Sequence, residues 1–292
     1  MIKKENLSAV IVTYNPDLQI LIENISIIQP QVDKVVIIDN GSENRDCIIK
    51  SVRDIDIISL KTNSGIAKAL NVGIEYVQKL GYKWVFTLDQ DSILPENVAH
   101  DFSKFINSNN MKDVGILAPR IFDRGWDKQQ EEIENRSIKG DYQIIERSIT
   151  SGNLVNVLAW ETVEGFDEDL FIDWVDFDFN KRLELQGFSI IQINSVIMNH
   201  EIGVGIHPKM LHRVLLYSKN RKFYDHSSIR QYYFYRNKVI YFRRYEKSMK
   251  KVRILFFVVL STREAFLYSK PKMRKFCSAI KGLKDGFQFK IR

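Results

Sequence analysis

Cysteine is nearly missing from this chain: two in 292 residues, Cys47 and Cys277, 230 positions apart. That number and spacing exclude a disulfide framework and a thiolate metal site, and predict free thiols filling small apolar gaps in a reducing compartment. Long apolar runs are lacking as well. The longest, Ile254 to Leu260, is seven residues, against roughly 20 for a spanning helix, so the chain is not expected to cross a membrane. The first strand-like run follows Met1-Ile2-Lys3-Lys4-Glu5-Asn6 directly, which leaves no room for a signal leader and predicts a protein kept inside the cell. Acids are scarce at one end only. Residues 241–292 hold 15 Lys or Arg against 3 Asp or Glu, a balance of +12, whereas the preceding 240 residues carry 28 against 33, or −5. A basic, aromatic-rich tail on a mildly acidic body suits an anionic membrane surface or a nucleic acid, and composition does not separate the two.

What is present is a globular composition, 45% hydrophobic and 27% charged, arranged as short β-branched runs alternating with helical spacing. Ser8 to Asn15 reads as a strand ended by Asn15-Pro16, and Leu18, Ile20, Leu21, Ile22, Ile25 and Ile28 then follow with roughly helical spacing. Val35 to Ile38, Ile55 to Leu60 and Trp84 to Leu88 are further strands, separated by helices around Cys47-Ile48-Ile49 and from Gly65 to Leu80. Such alternation predicts a Rossmann-like, mostly parallel sheet flanked by helices. Beyond it we expect a helix from Asn97 to Ile106, a strand from Val114 to Ala118, a long loop or edge hairpin over 122–146, a strand ending near His200 with that histidine in a loop, and a helix from Ile229.

Ligands bind such sheets beyond the carboxyl ends of the strands, and each of the first four strands carries polar residues there. Thr13-Tyr14-Asn15 follows the first, Asp39-Asn40-Gly41-Ser42 the second, Asn63-Ser64-Gly65 the third and Asp89-Gln90-Asp91 the fourth. Two carboxylates one residue apart can present hard oxygens to a divalent cation on a diphosphate, with His200 as a candidate third ligand. Small residues at Ser151-Gly152 either bring backbone close to a ligand or form a plain bulge. A second acidic region, residues 167–178, has six acids among bulky aromatics, including Asp173-Trp174 and Asp176. A carboxylate against an apolar wall suits a general base, and Asp176 is the candidate; Asp178 reads as a helix N-terminal charge.

In order along residues 8 to 240, the chain resembles the family 2 inverting glycosyltransferases of GT-A fold, in particular the bacterial rhamnosyltransferase-like group. The likeness rests on Val12-Thr13-Tyr14-Asn15; Ile38 to Ser42; Asn63, Gly65, Ala67, Ala69, Asn71 and Gly73; Asp89-Gln90-Asp91; Gly165 to Glu168; Phe171 to Asp176; and Tyr233 with Arg236-Asn237. It implies a catalytic domain over 1–240 and a C-terminal helical basic extension over 241–292. Asp39 would pair with the imide of uracil or thymine, with Thr13, Tyr14, Asn15, Asn63 and Gly65 around the nucleotide and Asp89 near the ribose and sugar. Asp91, helped by His200, would ligate Mg²⁺ or Mn²⁺, and Asp176 would be the base. Asp173, Trp174, Ser151 and Gly152 would meet the acceptor or support residues that do. Val175 stands where the broad family has Glu, which points to the subgroup. The Gln-x-x-Arg-Trp motif of processive synthases does not occur in the sequence, so one sugar is expected per acceptor.

The resemblance therefore implies transfer of L-rhamnose from dTDP-rhamnose to a saccharide acceptor, lipid-linked, in bacterial cell-surface polysaccharide synthesis. The enzyme would be cytoplasmic and peripheral on the inner face of the membrane. Two alternatives stay open: a UDP-hexose donor, because uracil and thymine share the imide edge, and a non-catalytic nucleotide-sugar binding protein. The chain carries no nucleic-acid-binding motif, and nucleic acid is not an expected partner.

Overall fold

The computed structural model describes residues 4–109, 113–123, 138, 140–200, 205–206, 223–224, 226–246, 256 and 270–291. They pack as two compact units, one of residues 1–171 and 175–200, the other of 172–174 and 201–292.

The first unit is built on an eight-stranded sheet in the order β3-β2-β1-β4-β7-β5-β8-β6. Its first four strands are β1 (Leu7–Thr13), β2 (Lys34–Asp39), β3 (Asp56–Ser59) and β4 (Trp84–Asp89), mutually parallel as the alternation predicts. Between them run α1 (Leu18–Ile28), α2 (Arg45–Ser51) and α3 (Ile66–Lys79). β1 is buried at all seven positions because helices cover both faces of the sheet. Ala9 and Ile11 join the core formed with α1 and α4 (Val98–Ser108). On the opposite face Gly73 of α3 lies against Val10 and Ile38, so close that a Cβ would strike the Val10 side chain. This contact is the physical reason for a glycine at position 73.

β1 has β2 on one side and β4 on the other, so connections leave it in opposite directions. The crevice beyond β1 and β4 is the topological switch point, where open α/β sheets hold ligands. The second half of the sheet is mixed. β7 (Asn153–Asn156) runs antiparallel between β4 and β5 (Val114–Asp123), β8 (Ser189–His200) is parallel to β5, and β6 (Tyr142–Ile144) closes the edge antiparallel to β8. α5 (Val157–Thr162) and α6 (Val175–Leu185) complete the unit.

Several expectations change in detail. β5 continues to Asp123, into the stretch read as a long loop or edge hairpin; its far end forms the single edge strand β6, paired to β8, and most of that stretch lies outside the described residues. His200 is the last residue of β8, opposite Asp123, and not in a loop after the strand. Its pairing to β5 extends the strand beyond the point where the apolar pattern of Val196-Ile197-Met198 stops. Cys47 and Cys277 are free, but both are exposed. Cys47 sits on the solvent side of α2, where Ile48 is the one buried residue.

In the second unit, α7 (Ser228–Tyr245) packs against α8 (Lys272–Gln288) around Tyr235, Val239, Ala279 and Leu283. Gly282 and Gly286 make this possible: a Cβ at Gly286 would lie 2.7 Å from the Arg236 carbonyl oxygen, and one at Gly282 would overlap that of Tyr232. Tyr232 donates to Asp285 at 2.8 Å, and Arg243 donates to the carbonyls of Gly286 and Phe289 at the end of α8. Apart from Phe256, the apolar stretch Ile254 to Tyr268 lies outside the described residues, and among those described no helix is long and apolar enough to cross a membrane.

Candidate active site

The carboxyl ends of β1 to β4 bring their polar residues together through a web of hydrogen bonds. Thr13 and Asp39 are register neighbours on β1 and β2, and both are fully buried. The Asp39 Oδ1 accepts from the Ser42 N–H at 3.1 Å, whereas its Oδ2 and the Thr13 Oγ1 are buried with no hydrogen-bond partner. An unmet buried acceptor costs about 1–3 kcal/mol, so a charged one requires an explanation. Asn15, with φ 48°, donates its N–H to the Ser42 Oγ and accepts from the Glu43 N–H through its side chain. Tyr14 is exposed at the side chain, with its N–H held by Gln90 Oε1 at 2.8 Å.

Asn40 organises the third strand's loop. Its amide accepts from the Ser64 N–H at 2.8 Å and donates to Asn63 Oδ1 and the Gly65 carbonyl. Gly65 has φ 87°, and a Cβ there would lie 2.6 Å from the Phe171 carbonyl oxygen, so the protein's own chain imposes this glycine.

The Asp89-Gln90-Asp91 turn is fixed from three sides. Asn24 of α1 donates to the Asp89 carbonyl at 2.9 Å; the buried Ser151 Oγ accepts from the Asp89 N–H at 3.0 Å and donates to Ser92 Oγ at 2.6 Å; Gln90 reaches the end of β1. Ser151 thus supports the turn. Gly152, with φ 86°, packs against Met198 and Pro119, where a Cβ would come within 2.7 Å of the sulfur. Asp91 itself is exposed, with no hydrogen bond or ion pair among the described residues. Two carboxylates on one fixed turn, one with both oxygens open, suit a hard divalent cation that takes its remaining ligands from water or phosphate. Among the described residues no three His, Cys, Asp or Glu cluster as a protein-only metal site, and the His200 side chain is not one of those described.

Asp176 is half-buried in the first turn of α6, where its Oδ1 accepts from the Phe177 N–H at 2.9 Å. Asp178, read from sequence as a helix-dipole charge, is fully buried and paired to Arg182 at 2.8 Å. In the second unit, Asp173 and Trp174 both have positive φ, 61° and 67°. Arg230 of α7 grips the Asp173 carboxylate at 3.1 and 3.3 Å, and Asn237 donates to the Ile172 and Asp173 carbonyls. Trp174 sits among Phe234, Tyr241 and Phe242. Burial pushes the Asp173 carboxyl up, against the pull of Arg230. Sequence reasoning missed Asn24 and Arg230, and named Asn40, Gln90 and Asn237 within motifs without foreseeing the bonds they make. Asn24 left a signal: it is a polar residue at an apolar position of α1, between Leu21 and Ile28. A cavity of about 400 Å³ beside Leu7, Gln31 and His100 has none of these residues on its walls.

The family model for glycosyl transferase family 2 matches residues 8–160. The dTDP-rhamnosyl transferase RfbF of Shigella flexneri is 28% identical over 303 residues, spanning 97% of this chain and 96% of that protein. TarS of S. aureus, residues 1–349 with UDP, shares the fold with a TM-score of 0.53 at 14% identity, over 97% of this chain and 90% of that one. GalNAc-T7 with UDP, GalNAc and Mn²⁺ gives 0.56 at 13%, over 97% and 56%. At those identities the two structures speak for the fold alone, which is GT-A.

Proposed function

The chain belongs to glycosyl transferase family 2, and on that premise we propose that it is an inverting transferase moving L-rhamnose from dTDP-rhamnose to a saccharide acceptor. The observation that carries this reading is the buried Asp39 Oδ2 without a partner, beside the equally unpartnered Thr13 Oγ1. A pyrimidine imide N–H is the kind of donor that would satisfy the carboxylate. The name of the Shigella relative supports thymine and rhamnose over uracil and a hexose.

In this reading Tyr14, Asn15, Asn63 and Gly65 surround the nucleotide and Asp89 faces ribose and sugar. Asp91, with His200, would hold Mg²⁺ or Mn²⁺, which supplies charge neutralisation at the diphosphate when bound. Asp176 accepts the proton of the acceptor hydroxyl as that oxygen bonds to the anomeric carbon; the bond to the diphosphate oxygen breaks with its electron pair, and the configuration inverts. Asp173 and Trp174 serve the acceptor side. We assign catalysis to residues 1–240 and attraction to an anionic inner membrane surface, where a lipid-linked acceptor would reside, to the basic residues 241–292.

The test is the affinity for dTDP and UDP by calorimetry in wild type and Asp39→Asn. The expected result is a loss of about tenfold or more on exchanging the carboxylate for an amide; unchanged affinity removes Asp39 from the nucleobase.

A further inference from the structure

Two motifs that the proposed chemistry leaves without a role, Asn71 and the run Gly165 to Glu168, meet in the first unit. Asn71, half-buried on α3, uses all four hydrogen-bonding positions of its amide. Its Oδ1 accepts from the Phe166 N–H at 2.8 Å and from Trp160 Nε1 at 3.2 Å; its Nδ2 donates to the Phe166 carbonyl at 2.9 Å and to Glu168 Oε1 at 3.1 Å. It reads both backbone groups of one residue, as a neighbouring strand would. The loop is shaped to meet it: Glu164 and Gly165 both have positive φ, 60° and 73°, and a Cβ on Gly165 would come within 2.7 Å of Asn71 Oδ1.

The far side of the same loop is held by α6. Arg182, oriented by Asp178, donates to the Val163 carbonyl and to that of Gly165 at 2.6 Å, and the Phe166 and Phe179 rings lie 4.1 Å apart. Two further ties join the loop to α3: Lys68 meets Glu168 at 3.1 Å, and the Ile66 N–H donates to the Phe171 carbonyl at 2.8 Å. A short rigid strut therefore links α3, which follows directly on Asn63-Ser64-Gly65, to α6, which carries Asp176 in its first turn.

We propose that Asn71 is a positioning residue for transfer: by clamping the 163–168 loop it sets where α6, and with it Asp176, stands relative to the donor loop at the start of α3. The inference rests on the transferase reading above. Misplacing a reacting group by about 1 Å costs on the order of 10²-fold in rate, so a residue that touches no substrate can still govern turnover. Asn71→Asp keeps the size and one pair of contacts but sets carboxylate oxygen against the Phe166 carbonyl and Glu168.

The experiment compares wild type, N71D, N71D with Glu168→Gln, and Asp176→Asn. It measures dTDP release from dTDP-L-rhamnose with water as acceptor across pH, dTDP affinity by calorimetry, and folded fraction by thermal melting. N71D should lose about 10²-fold in turnover per folded molecule while dTDP affinity stays within about threefold, and the acid limb of its pH profile should move. Removing the repulsion with Glu168→Gln should restore about tenfold or more of the loss. If N71D loses activity only in proportion to its folded fraction, with a pH profile superposable on wild type, Asn71 is merely structural and the inference is wrong. If wild type binds dTDP but releases none, or D176N releases it as fast as wild type, the reading beneath the inference fails and the inference with it.

Discussion

Asp39 and Asp176 are both carboxylates, and their surroundings separate what each is able to do. Asp39 is fully buried at the end of β2, one oxygen held by Ser42 and the other by no protein group. Its second oxygen is placed to accept a hydrogen bond from a ligand. Asp176 is half-buried in the first turn of α6, where one oxygen accepts from the Phe177 N–H. A general base supplies about 10²–10⁴-fold in rate. Asp176→Asn should accordingly melt like wild type and lose turnover by that factor, measured as nucleotide released per minute; near-normal turnover would take Asp176 out of the role. At this scale the sequence was informative where chemistry needs a residue type at a strand end, as for Thr13, Asp39 and Asp89. It was silent on Asn24, and it set Asn40 and Gln90 at strand ends without their partners, because a supporting amide is defined by what it touches, and contacts between elements are not written in local pattern.

At the scale of elements, β1 to β4 were legible because parallel strands covered on both faces appear as continuous apolar runs, and the helices between them keep a 3.6-residue apolar repeat. The insertion of β7 between β4 and β5 was not, since Asn153-Leu154-Val155-Asn156 is short and names no pairing partner. The helix pair of the second unit was legible as two helices but not as a close pair; the glycines that allow contact, Gly282 and Gly286, read as ordinary helix weakeners until their neighbours are known. That pair makes a pH-dependent prediction. Burial, and then the Asp285 hydrogen bond, push the Tyr232 hydroxyl up to about 12, against about 10 for an unfolded tyrosine. The folded pKa is the raised one, so the stabilisation from neutral Tyr232 is complete below about pH 10 and is lost as the pH rises through about 12. Tyr232→Phe should cost about 1 kcal/mol at neutral pH. In urea titrations that difference should shrink from about pH 10 upward; a difference constant to pH 12 would place Tyr232 in solvent.

Across the whole molecule, the charge is divided between a mildly acidic body and a strongly basic end. Arg274, Lys281, Lys284 and Lys290 are exposed in the second unit, and each contributes about 1 kcal/mol near an anionic surface. Replacing the four with Gln should abolish flotation with phosphatidylglycerol vesicles at low salt and leave neutral vesicles unaffected; equal flotation of both proteins would mean that this basic end is only solvated. The central claim is about chemistry, and the measurement that tests it most directly is acceptor-free hydrolysis across a panel of nucleotide sugars with Mg²⁺ or Mn²⁺ present. A family 2 transferase that holds thymine at Asp39 and rhamnose beside Asp89 should turn over dTDP-L-rhamnose fastest and release the sugar with inverted anomeric configuration, with UDP-hexoses slower. Preference for a UDP-hexose would contradict the donor assignment, and binding without turnover of any sugar nucleotide would contradict the transferase itself.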